Sequence, residues 1–376
     1  MILRAIHVAC IELALLRPIQ LDPALIGRPL PRDLFSESGV LLAGAGMLLA
    51  DEAHFQKLAS RPLYQIAEVE TNSESDRPPQ RLHELGKYTA SLLAGPRQGL
   101  SEEELRLLAR AFLALFRADP DACLGYPRLA PIAPPCLAHS LNVLFIAVLL
   151  ADQLDLSEAQ TESLAAAALT MNSADIPLHE RLHKNLGFAS NEDWVSLRAH
   201  PAQAATLLEQ AGVTDQDWLY SVRQHHENMD GSGYPAKLAG AQISLAARIL
   251  HVADVYCAKV NGRYYHPPKA SNFAFRELFG EERAHLDTQI ATVLLGRIGL
   301  YPPGTLVRLA NRENACITRL GRHGKIHFAT SFMDARGRAL DAPRERNLET
   351  RAYAVQSLID VDPAWPNINW PLLWGY

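Results

Sequence analysis

The first 68 residues fall into short apolar runs broken by Pro and Gly, at Arg17-Pro18, Gly27-Arg28-Pro29, Gly39, Gly44 and Gly46. That spacing predicts short strands and turns with one helix near Asp51–Ala59, hence a small α+β module over residues 1–69. The opening sixteen residues are apolar but interrupted by His7 and Glu12, and no small-residue cleavage site follows. They predict a strand or docking segment rather than a secretion signal. Residues 70–82 contain the polar stretch ETNSESDRPPQ, from Glu70 to Gln80, whose composition suits a linker and not a core.

From residue 83 to 300 the period turns helical. Ser101-Glu102-Glu103-Glu104 has the form of a capping box, in which the Ser hydroxyl and the Glu three residues on satisfy each other's exposed backbone donors. Leu105, Leu108, Phe112 and Leu115 follow at helical spacing. Ser157 to Gln160 forms a second box ahead of the alanine-rich segment Leu164–Thr170. Ser190 before Asp193-Trp194, and Thr214 before Asp217-Trp218, predict two more helix starts. Short connections between such helices imply a bundle. After Tyr301-Pro302-Pro303-Gly304, the alternation over Thr305–Leu309, Ala315–Leu320 and Lys325–Thr330 predicts a β meander. The tail carries Trp365, Trp370 and Trp374 without a period, and these rings are expected to dock on the protein. The expected fold class is mainly α: a helical bundle with a small N-terminal α+β module and a β-containing extension over residues 301–376.

Composition narrows the function. The 376 residues hold 36 Lys+Arg against 41 Asp+Glu, a net charge of −5. Nucleic-acid and membrane-surface binding need a basic face, so neither partner is expected, although a local basic pocket for one small anion stays open. Cys10, Cys123, Cys136, Cys257 and Cys316 are odd in number and lack CxxC spacing, which indicates neither a disulfide framework nor a thiolate zinc site. No uninterrupted apolar run reaches about 18 residues, so no membrane span is expected and a cytoplasmic location follows.

Eight of the 14 histidines lie between His139 and His266. The sharpest cluster is His225-His226-Glu227-Asn228-Met229-Asp230-Gly231-Ser232-Gly233-Tyr234-Pro235. Adjacent histidines at a helix end can point to one metal, because neutral imidazole nitrogens coordinate. The alternative is a turn with two surface histidines. Gly231 and Gly233 permit positive φ and Pro235 fixes the exit, so a tight loop would hold Tyr234 beside the metal. Farther on, Asp254 sits among Leu250, Ala253 and Val255. A carboxylate on so apolar a helix must bind a metal or pair with a buried His or Arg, since burying it alone costs several kcal/mol.

The eleven-residue string resembles the signature of the HD-GYP family, a branch of the HD phosphohydrolases that cleave cyclic di-GMP. The likeness continues through Leu238, Gly240, Ile243, Ala247-Arg248-Ile249 and Val252 to Tyr256, and ends around Arg263 and Tyr265. Upstream, Arg198-Ala199-His200-Pro201 resembles the family's single-histidine helix, and His139-Ser140 its first metal-ligand helix. Together it covers about residues 135–305. It implies an HD-type bundle, metal ligands at His139, His200, His225, His226 and Asp254, and a ligand-binding loop of Asp230, Gly231, Gly233, Tyr234 and Pro235. Arg263 corresponds to an arginine resembling the family's nucleotide-phosphate contact.

The name-giving His-Asp pair departs from the family. Counting back without gaps from His200, Trp194, Ser190 and Gly187 places it at Met171-Asn172, and the lysine that normally follows falls on Asp175. In the family that Asp bridges two metal ions which activate water and neutralise phosphodiester charge. A thioether suits iron or manganese poorly, and neutral Asn172 cannot replace a bridging carboxylate. Asp175 becomes the substitute carboxylate if three residues are inserted before it, with Ala174 in place of the histidine. Cys257 stands where the family has an Asp, and Pro135 where the trinuclear subset has a Glu. Cys257 is expected as a small buried hydrophobe rather than a ligand. His179, His183 and Lys184 are candidates for a lid or for plain surface positions, and Arg319, Arg322, Lys325 and Arg336 for a solvated face of the meander.

The expectation is a bacterial signalling protein whose degenerate site holds one divalent ion, iron, manganese or another. It would bind cyclic di-GMP, a related nucleotide, or a protein partner through the loop, with little or no hydrolysis. The alternatives are an active metal-dependent cyclic di-GMP phosphodiesterase and a purely interacting module.

Overall fold

The computed structural model describes residues 16–31, 34–36, 41–44, 46–66, 78–94, 100–130, 135–185, 189–261, 269–321 and 326–376. Of the strand or docking segment expected over residues 1–16 all but Leu16 lies outside them, as do most of the expected linker, Gly187, Arg263, Tyr265, His266, Arg322 and Lys325. The chain divides into two compact units, Met1–Glu74 and Ser75–Tyr376.

In the first unit four antiparallel strands, β1 (Leu16–Ile19), β2 (Leu34–Phe35), β3 (Leu41–Ala43) and β4 (Leu63–Ile66), stand in the order β1-β4-β2-β3. Leu16 faces Ile66 and Ile19 faces Leu63. Helix α1 (Glu52–Ala59) delivers Phe55 to a core of Leu21, Leu30, Leu34, Ala43, Leu49 and Leu63. Turns space these apolar positions so that the short elements share one buried face.

The second unit opens with α2 (Pro78–Ala94), inside the stretch expected to be linker. Proline tolerates the first helical turn because no carbonyl there awaits its missing N–H, and that is why the Pro78-Pro79 pair begins a helix instead of preventing one. Next come α3 (Glu102–Ala118), α4 (Pro120–Leu129), α5 (Pro135–Gln153) and α6 (Glu158–Thr170). They are followed by α7 (Ile176–Asn185), α8 (Asn191–Gln210), α9 (Gln216–Gln224), α10 (Leu245–Asn261), α11 (Ser271–Phe279) and α12 (Thr288–Ile298). Ser157 and Ser190 make full reciprocal caps. The other two predicted starts differ. Ser101 accepts from Glu104 N, but the Glu104 carboxylate is taken by the Tyr88 hydroxyl at 2.8 Å. Asp215, not Thr214, caps α9 by accepting from Trp218 N, while Thr214 donates to Glu102.

Helix α5 is the centre of the bundle, packed on α6 and α10. Its stretch Cys136–Gln153, although interrupted by His139, Ser140, Asn142 and Asp152, is long and apolar enough on average to cross a membrane by composition, and 78% of it is buried within the protein. The run Ala165–Ala168 on α6 is fully buried, and small side chains there let the two backbones approach.

The extension belongs to the same compact unit as the bundle. Strands β5 (Leu306–Leu309), β6 (Asn314–Leu320), β7 (Ile326–Met333), β8 (Ala339–Asn347) and β9 (Val355–Leu358) form an antiparallel sheet ordered β8-β7-β6-β5-β9. The last two strands went unpredicted; β8 is mostly polar and holds Pro343, which an edge strand tolerates. The tail returns to the sheet: Trp365 and Trp370 pack edge-on against Phe332, and Trp374 Nε1 donates to Thr318 O at 3.0 Å. Arg319 is not simply solvated. It donates to Asp119 at 2.5 Å and so fastens β6 to the start of α4, whereas Arg336 is exposed as expected. Each of the four described cysteines is a buried thiol outside any disulfide, Cys257 among them.

Candidate metal centre

Five elements converge on one end of the bundle. Helix α5 supplies His139, the turn after α6 supplies residues 171–175, α8 supplies His200, the C-terminus of α9 supplies His225 and His226, and α10 supplies Asp254. The sequence explains how two of these rings are aimed. Pro201 has no N–H, so the carbonyl four residues back, Leu197 O, loses its helix partner. The Nδ1 of His200 takes that carbonyl at 2.6 Å. His225 occupies the C-cap of α9, where the last carbonyls lack intrahelical donors, and its Nδ1 takes Val222 O at 2.7 Å.

Those two bonds fix the tautomers. A carbonyl only accepts, so each Nδ1 carries the proton and each Nε2 presents a lone pair. The two Nε2 atoms face each other 3.1 Å apart, an arrangement that an electron-poor ion between them would relieve. Donor atoms of His200, His225 and His226 all lie within 4.8 Å of one another. Burial holds His225 down at about 4, and it holds His226 well below the ordinary histidine value. Both rings are therefore neutral at pH 7, the form that ligates a metal. Three imidazoles are a chemically suitable donor set for one divalent transition-metal ion.

The remaining residues are arranged differently. His139 Nε2 lies 2.6 Å from Asp254 Oδ1, while Asp254 Oδ2 is 4.0 Å from His226 Nδ1. Asp254 thus joins the His139 ring to the triad. Met171 is fully buried, and Asn172 turns its amide toward Ser140, 3.5 Å away. Asp175 does reach the cluster, with its Oδ2 3.3 Å from His200, but at Nδ1, the side of the ring opposite the clustered Nε2 atoms. That oxygen makes no hydrogen bond, and burial pushes the carboxyl up to about 6. His179 is half-buried on α7; the side chains of Pro135, His183 and Lys184 lie outside the described set.

The loop after His226 is built mainly from its own backbone. Tyr234 N donates to His226 O at 3.1 Å, and the Tyr234 ring stacks 4.9 Å from the His226 ring. Asp230 accepts from Ser232 N and Oγ, bonds that hold its carboxyl below the usual range. Gly231 has the expected positive φ. Gly233 is required for a different reason: a Cβ there would sit 2.3 Å from Asn228 N and 2.5 Å from His226 O. Pro235 follows through a cis peptide bond.

Two residues at the site had no role in the sequence reading. Glu227 is buried, and its carboxylate accepts from Ala236 N at 2.6 Å and Leu238 N at 3.0 Å, clasping the loop exit. A charged residue inside a Gly- and Pro-rich turn was the available signal, because such a turn leaves backbone donors to satisfy. His251 lies three residues before Asp254, on the same helix face, which was its signal. Burial lowers its basicity too.

Comparison with known proteins agrees with this arrangement. Residues 127–290 match the HD domain family. The cyclic di-GMP phosphodiesterase PA4108 of Pseudomonas aeruginosa is 28% identical over 258 residues, 68% of this chain and 62% of that protein. The cyclic di-GMP phosphodiesterase response regulator RpfG of Xanthomonas campestris is 31% identical over 152 residues, 40% of each chain. A 3'3'-cGAMP-specific phosphodiesterase of Vibrio cholerae, number 3 in its series, is 27% identical over 172 residues, 45% of this chain and 37% of that one. The chain thus spans about three fifths of the first relative's length and two fifths of the second's. Among solved structures, Bd1817, an HDG"Y"P protein from Bdellovibrio bacteriovorus, shares the fold with a TM-score of 0.50 and 16% identity, over 74% of this chain and 98% of that one. The chain thus carries an HD domain over residues 127–290, and its likeness to these proteins is that of an HD-GYP domain.

Proposed function

We propose that this HD-GYP domain binds a cyclic dinucleotide, cyclic di-GMP or a cGAMP-type molecule, around one divalent ion and hydrolyses it little or not at all. The observation that carries the reading is the position of the carboxylates. Neutral Met171 and Asn172 stand where the family resemblance expects a His-Asp pair, Asp254 is engaged with His139, and Asp175 stands on the outer side of His200. His200, His225 and His226 would hold the ion, which when bound would polarise a phosphate oxygen. The neutral rings orient it, and the loop from Asp230 to Pro235 shapes the adjoining wall. The relatives named as acting on cyclic di-GMP and on 3'3'-cGAMP support this ligand class. A cytoplasmic location goes with the reading.

Purified protein supplied with manganese or iron should bind cyclic di-GMP in calorimetry and yield no linear dinucleotide or GMP by chromatography. Clear turnover rejects the inert reading. Absence of any nucleotide binding favours a module that acts on a protein partner through the loop.

One observation favours a second reading, an active phosphodiesterase. Asp175 is a buried carboxylate with an unbonded oxygen 3.3 Å from a ligand histidine, and a rearranged 171–175 turn that carried it round to the ion would restore a bridging carboxylate. Two or more ions per chain, with activity abolished by Asp175→Ala, would establish that enzyme.

A further inference from the structure

Beyond the end of α9 the carbonyl of His225 has no helical donor to meet it. His251 supplies one from α10, its Nδ1 donating to His225 O at 2.8 Å. The other ring nitrogen, Nε2, lies 3.1 Å from Asn228 Oδ1, where the loop departs; with the proton on Nδ1 this is a packing contact and not a hydrogen bond. His251 is buried, with 7% of its surface exposed, and its ring stands edge-on to that of His226, centroids 6.3 Å apart. A single imidazole thus bonds one end of the four-residue turn 225–228, which presents two candidate ligands, and packs against the other. It does so from the same helix that carries Asp254.

We propose that His251 is a positioning residue for the metal centre: by tying the His225 carbonyl to α10 and packing against the Asn228 side chain, it sets where the His225 and His226 rings point. It needs no direct contact with the ion. The inference rests on the triad being a metal site and is independent of whether nucleotide is hydrolysed. An outer partner of this kind typically changes metal affinity by about ten- to a hundredfold.

The test titrates metal-stripped full-length protein with manganese and reads free ion by electron paramagnetic resonance, with unfolding midpoints taken in chelator. His251→Ala should weaken manganese binding by about tenfold or more. His251→Asn keeps a donor near the position of Nδ1 and should recover most of that loss; His251→Gln, reaching toward Asn228 instead, should recover less. Equal affinity of wild type and His251→Ala overturns the proposal, and so does His251→Asn as weak as His251→Ala with an unchanged midpoint. Should the alanine variant fail to fold, the asparagine and glutamine pair decides by the same ranking. Wild type that binds no manganese, iron or zinc rejects the metal centre and this role together, whereas wild type that binds metal but no nucleotide rejects only the ligand reading.

Discussion

The two sides of the metal centre are organised by different rules. On one side His200 and His225 are each locked by a main-chain carbonyl that the fold has left without a helical donor, at 2.6 and 2.7 Å, and their Nε2 atoms converge. On the other side the groups satisfy each other or turn away: His139 engages Asp254, Asn172 inclines to Ser140, and Asp175 touches His200 from behind. Backbone carbonyls impose a direction without competing for the ion. A carboxylate already paired with an imidazole must give up that bond before it can ligate. One side is thus preorganised for a cation, and the other must rearrange.

This contrast can be broken experimentally. The largest effect should come from His225→Ala, which removes a ligand and should weaken metal binding by about a hundredfold or more, beyond what an outer partner contributes. Met171→Ala in the same titration should stay within about twofold, because a thioether contributes little to a hard divalent ion. Next in size, the double substitution Met171→His with Asn172→Asp should add a second ion per chain by metal analysis. It should also raise cyclic di-GMP cleavage by about a hundredfold, the lower end for a positioned catalytic group. No gain in either would mean the turn cannot bring those side chains to the centre.

A smaller effect is expected at Asp175. Asp175→Asn should leave manganese affinity within about threefold, whereas a loss beyond about tenfold would mark the residue as a ligand. Its stability effect has a definite sign. A carboxyl raised from its ordinary value to about 6 favours the folded state when protonated, and that stability is lost as pH rises through 6. At pH 8 the amide should therefore equal or exceed the wild type in stability without metal.

The smallest effect concerns acid. His225, His226 and His251 are all held below the ordinary histidine value, so between about 6.5 and 4 the unfolded chain binds more protons than the folded one. Asp175 opposes this trend, but as one group against three. In chelator the unfolding midpoint should fall by about 5 °C or more between pH 7 and pH 5. A flat or rising midpoint would mean that the rings are charged in the fold.

The extent of sequence legibility follows the same division. Ser157 and Ser190 announced their helices because capping is local chemistry, and the 225–235 string announced its loop because glycine and proline leave few alternatives. The start of α2 at Pro78 was hidden by composition that suits a linker equally well. The side of His200 that Asp175 faces depends on how the turn 171–175 winds, which no spacing rule encodes. Glu227 and His251 bond to backbone atoms, and backbone atoms are the same at every position in a sequence. Arg263, a family-based expectation, lies outside the described residues.

Pro201 has a practical corollary. A proline in a helix interior costs about 3 kcal/mol relative to alanine, so any search for a more heat-resistant variant should select its replacement. The reward would be a continuous α8 in which Leu197 bonds to its own helix once more. The imidazole next door would then be free to swivel, and the sturdier protein would be the poorer receptor for its ion.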